Sequence, residues 1–165
     1  MNQSNKKSSP RAIALAERIL QGAERLAAFS ENLSDEDWNK PVIADGRTVG
    51  VVVHHVASVY PLEVELAQVL ASGKAIEGAT KEAIDQMNAD HARENANVGK
   101  EETLALLRQN STAAAEVVRT FTDADLDNSA TVSLNYDAPL TAQFFIEDHA
   151  LRHSFHHLAK IKASF

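Results

Sequence analysis

The chain contains no cysteine. That excludes disulfides, a thiol nucleophile and any cysteine-based zinc site, and it leaves the redox compartment unmarked. Glycine and proline are scarce as well, six and four in 165 residues, and most stand where a helix would start or stop. No apolar run approaches the roughly 20 residues of a membrane span. The first nine residues are polar, include Lys6-Lys7, and lack a signal-peptide core, so a cytoplasmic location without a membrane partner is expected. An excess of base is missing too: 16 Lys and Arg stand against 23 Asp and Glu, a net charge of −7. With no basic stripe interleaved with aromatics, nucleic acid is not an expected partner.

What is present is a 44% apolar chain of a length that suits one hydrophobic core. Residues 1–9 read as a disordered tail and 10–165 as a single domain, all-α: an antiparallel four-helix bundle with an extra short helix. Ser9-Pro10 opens the first helix, and Ile13, Ala16, Leu20, Ala23 and Ala27 carry it to about residue 30. A short turn around Trp38, a packing anchor, is followed by a loop over 41–47. Thr48 caps a second helix that stops near Gly73 and contains Pro61, which removes the hydrogen bond to the Ala57 carbonyl. A polar helix over 80–95 covers the bundle. The third long helix, 101–121, has a seam of Leu104, Leu107, Ser111, Ala114, Val118 and Phe121. An irregular stretch with a scrap of strand at 131–134 leads to a last helix starting between 139 and 141.

Six of the seven histidines fall in two places, His54-His55 and a C-terminal group of His149, His153, His156 and His157. At 100° per residue, His55 lies in the arc of Val51, Val52, Val59, Leu62 and Leu66, while His54 lies at its edge. On the last helix, His149, His153 and His157 share a face with Ala142, Ile146, Ala150 and Ile161. His149 and His157 are about 12 Å apart along the axis, too far to share an ion. A pair is therefore either His149/His153 or His153/His157, and His55 would complete a facial three-imidazole set with coordination positions to spare. Asp148 and Glu147 project away from this face. Tyr60, Glu63 and Glu65 lie near the kink at the pocket mouth, with solvation the expected state of both glutamates. His149 and His156 could orient ligands, shuttle protons or sit at the surface, the surface being favoured for His156. Di-iron carboxylate chemistry is excluded because no glutamate has a histidine three residues later, and neither a His-Glu-x-x-His motif nor a serine elbow is present.

Thr48 to Ala57, with His54-His55, resembles the "W-[ST]-V-x-E-x-x-x-H-x-A" segment of the DinB/YfiT-like superfamily of metal-binding four-helix bundles. His153-Ser154-Phe155-His156-His157-Leu158-Ala159-Lys160-Ile161 resembles its closing "H-x-x-x-H-L-x-Q-I", and Leu33 to Trp38 its first loop. Arg47, Val51 and Lys160 depart from the pattern, replacing an aromatic residue, a glutamate and a glutamine. The resemblance implies metal ligands at His55, His153 and His157, a divalent ion (zinc or nickel first), and a homodimer. It also implies an enzyme in which the ion activates a low-molecular-weight thiol, of S-transferase or isomerase type, acting on a small-molecule substrate. The alternatives are a metal-dependent hydrolase or a non-catalytic metal-binding stress-response module.

Overall fold

The computed structural model describes residues 9–165. Of the expected tail, 1–9, residues 1–8 lie outside the described residues, and Ser9 is buried. Its Oγ accepts from the N–H groups of Arg11 and Ala12 and caps α1, Pro10–Glu31. Its own N–H donates to the Phe121 carbonyl, fixing the start of α1 against the segment after α5. The buried stripe of α1 is Ala12, Leu15, Ala16, Ile19, Ala23, Leu26 and Ala27. Ile13 and Leu20, which the spacing assigns to that stripe, fall at its edge, Ile13 exposed and Leu20 half-buried.

The short helix α2, Asp35–Trp38, presents Trp38 to the second long helix, α3, Val49–Ala71. The indole Nε1 donates to the Val98 carbonyl, and the ring lies so close to Gly50 that a Cβ there would sit 2.5 Å from Nε1. Thr48 caps α3 by accepting from Val51 N–H. The carbonyl of Ala57 that Pro61 leaves without a helical partner accepts instead from Asn110 Nδ2, at 2.9 Å, so helix α3 runs on past the proline.

The polar helix α4, Lys81–Glu94, contains no buried residue and lies over α3. On α5, Lys100–Arg119, and just past it, every member of the expected seam from Leu104 to Phe121 is buried. A five-residue helix α6, Asp123–Asp127, leads to a two-stranded antiparallel hairpin. Strand β1, Ser129–Val132, pairs with β2, Ala138–Thr141, in a register that sets Ser129 opposite Thr141 and Val132 opposite Ala138. Tyr136 and Asp137 make the reversal with positive φ.

The hairpin corrects two boundaries. The scrap of strand expected at 131–134 is β1, two residues earlier, and the last helix begins at Ala142, because 138–141 is strand and Thr141 serves as its N-cap. That helix is also not continuous. It comprises α7, Ala142–Ile146, a π-helical turn, Glu147–Leu151, and α8, Arg152–Lys162. The Arg152 N–H donates to the Glu147 carbonyl, the i→i+5 bond that takes an extra residue into the turn.

α1 packs against α5 and α8, and α3 against α5, α7 and α8. The first two long helices of the chain therefore lie diagonally in the four-helix bundle, with the core of Ile19, Leu26, Val52, Val56, Leu107, Ile146 and Ile161 between all four. No helix of the described residues is long and apolar enough to cross a membrane.

Candidate metal centre

α3 and α8 carry the histidines toward each other. One ring nitrogen from each of His55, His153 and His157 lies within 4.8 Å of the others. The ring centroids are 5.0 Å apart for His55 and His153, 5.5 Å for His55 and His157, and 4.8 Å for His153 and His157. His55 and His157 are buried and His153 is partly exposed. Helical phase favours His55 over His54, and His55 is the member of the triad.

Burial, with His153 and then Arg47 beside it, pushes the His55 imidazole down to about 3. Burial, His153 and His55 push His157 down to about 2. Both are thus neutral bases at physiological pH, the form in which imidazole binds a cation. His153 is oriented from outside: its Nδ1 donates to Glu63 Oε1 at 2.6 Å, leaving Nε2 for another partner. His157 Nδ1 is buried with no hydrogen-bond partner. Three neutral or carboxylate-oriented imidazoles with a buried unpartnered nitrogen fit a divalent ion, which bonds such nitrogens at about 2.0–2.1 Å.

Glu63 corrects an expectation. Solvation was expected, yet the side chain is buried, because it stands three residues after Tyr60 and four before Ala67, both fully buried. That spacing is the signal that marks it. Glu65 is exposed, as expected. Tyr60 is buried and its hydroxyl pairs with Ser154 Oγ at 2.5 Å, joining α3 to α8 behind the triad.

Beside the triad lies a cavity of about 390 Å³. Val59, Leu62 and Leu66, three of the five apolar residues that accompany His55 in the sequence, form a wall of this cavity, and Leu66 also packs against the core. Ile84 and Met87 of α4 and Phe145 of α7 continue it. His149 lines the cavity, stacked on the Phe145 ring with centroids 4.2 Å apart, and lies outside the triad. Asp148 lines it too, paired with Arg152 at 2.9 Å. A regular helix directs Asp148 away from the histidine face; the wider π turn brings it round. His156 is exposed at the cavity rim.

His91, the histidine outside both sequence clusters, comes from α4. Its Nε2 is 2.9 Å from His54 Nδ1, and its ring centroid is 5.6 Å from that of His55. Nothing in the polar pattern of α4 announces this contact.

A four-helix bundle with a three-histidine cluster on facing helices, capable of holding a divalent ion beside an open cavity, is the class defined by this fold and site. Residues 18–161 match the DinB superfamily, and the chain belongs to it. Among solved structures, YfiT from Bacillus subtilis is similar, with 19% identity, a TM-score of 0.69, and coverage of 99% of this chain and 87% of that one. YfiT is described as a probable metal-dependent hydrolase with an unusual four-helix bundle topology. No curated protein matches the chain.

Proposed function

We propose that the chain is a metal-dependent hydrolase in which His55, His153 and His157 hold one divalent ion. The observation that carries this reading is the triad's position at a cavity wall, where three protein donors leave the remaining side of the site open. A structural site would instead be closed by a fourth protein ligand. A divalent ion held there supplies a lowered pKa for water, about 7, and positive charge beside an electrophilic carbonyl. The rest falls to the chain. Glu63 holds the His153 ring through Nδ1, and Tyr60 with Ser154 fixes α8 against α3. Leu62, Leu66, Met87 and Phe145 exclude bulk water and seat an apolar substrate. His149, kept neutral because burial lowers its pKa, stands at the cavity wall as the candidate to accept a proton from water.

The description of YfiT supports hydrolysis over thiol transfer, and water is a nucleophile that needs no further cofactor. The test is elemental analysis of protein purified without a histidine tag, followed by turnover of activated esters and amides with and without added thiol. About one equivalent of zinc or nickel, lost in His55→Ala and His153→Ala, with chelator-sensitive turnover in the absence of thiol, is the expected result. Turnover only with thiol would establish the S-transferase reading, and full activity of metal-free protein would sink both.

A further inference from the structure

Two positions that depart from the family pattern, Arg47 and Lys160, both place a cation at the wall of the histidine cavity. Arg47 Nε and Nη2 hold Asp45, at 2.5 and 2.8 Å. The third guanidinium nitrogen, Nη1, is buried and has no hydrogen-bond partner. A buried donor without an acceptor is costly, and its persistence points to a ligand group that completes it. Lys160 is half-buried, one turn beyond His156, and no carboxylate pairs with it among the described residues. Each carboxylate lining the cavity has a partner, Asp45 with Arg47, Asp148 with Arg152, and Glu63 with His153, although Glu63 uses only Oε1 and its Oε2 is unpaired. The spare capacity is therefore one guanidinium nitrogen and one ammonium. Both line the one cavity, Lys160 three residues after His157 on α8 and Arg47 immediately before Thr48, the N-cap of α3.

We propose that Arg47 and Lys160 form an anion subsite that selects substrates with a single carboxylate on an apolar body. The subsite lies in the cavity assigned to the hydrolase and rests on that reading for its place in a reaction. The apolar body follows from Leu62, Leu66, Met87 and Phe145 on the same cavity wall. The single charge follows from the pairing of Arg47 with Asp45 and of Arg152 with Asp148, which leaves Lys160 as the one unpaired cation of the cavity wall among the described residues.

The experiment compares octanoate, octanamide and octyl phosphate as probes, by calorimetry and by the NMR signal of the Arg47 guanidinium. It uses both chelated and zinc-loaded protein. Octanoate is expected to bind roughly tenfold tighter than octanamide, a gain of the size that charge-assisted hydrogen bonds give, and to shift the Arg47 signal. Lys160→Gln, and Arg47→Met made together with Asp45→Asn so that no carboxylate is stranded, should each erase most of that preference while leaving octanamide affinity unchanged. Equal binding of acid and amide by wild type, undiminished preference in the variants, or tighter binding of octyl phosphate would overturn the proposal. Zinc content read on the same samples separates the two readings. If wild type fails to take up metal, the hydrolase fails, and a carboxylate preference surviving in chelated protein still establishes the subsite.

Discussion

Glu63 accepts a hydrogen bond from His153 through one carboxylate oxygen, while the other, Oε2, is buried without a partner. Glu63→Gln keeps the shape but weakens the acceptor, and such outer contacts set ligand orientation and basicity. Zinc affinity, read by chelator competition, should fall by about 10–100-fold with helical content unchanged. A second consequence concerns acid. In the metal-free chain His55 and His157 resist protonation, at about 3 and about 2, whereas the unfolded chain takes up protons near 6.5. The unfolded state then binds more protons below about 6.5, so stability falls as pH drops from there toward 3. Denaturant midpoints of chelated protein at pH 7.5 and pH 5 should show this loss, and His55→Ala should flatten it.

At this scale the triad was legible because helical phase separates His55 from His54 and the family motif selects His153 with His157. Glu63 was not, since a glutamate near a helix bend is ordinarily solvated and only its spacing to Tyr60 and Ala67 argues otherwise. His91 carried no pattern at all. It reaches His54 only because α4 folds back across α3.

Among the elements, α3 and α5 are tied by a repair. Pro61 frees the Ala57 carbonyl and Asn110 satisfies it. Asn110→Ala should cost about 1–3 kcal/mol by thermal unfolding, the cost of a buried acceptor left without a donor. In a Pro61→Ala background residue 61 regains its N–H, so the same substitution should cost far less. Additive losses in that double-mutant cycle would refute the repair. Gly50 is under a different constraint. Gly50→Ala pushes a methyl into the Trp38 ring and should destabilise by about 1–3 kcal/mol, as overpacking does. Long elements with regular periods, such as the α5 seam, were readable from sequence. The hairpin boundary and the π turn were not: four-residue strands are too short to establish a period, and one extra residue in a turn leaves composition untouched.

For the whole molecule, the bundle has an extensive apolar core independent of the histidines. Chelated protein should therefore stay folded at 25 °C by circular dichroism. Zinc should raise the melting temperature in proportion to the logarithm of its free concentration, because it binds only the native state. A chain that unfolds on chelation would instead mark a structural site.

The π turn has a wider reach than its five residues. Everything after Leu151 takes its angular position from it: His153 and His157 toward the cavity, and Leu158 and Ile161 into the interior. Winding the same residues as regular α-helix, with none removed, would swing all four side chains by about 100° at once. Hydrophobic packing and cation holding are thus timed by one shared setting, and losing the wide turn while keeping its extra residue would forfeit both together.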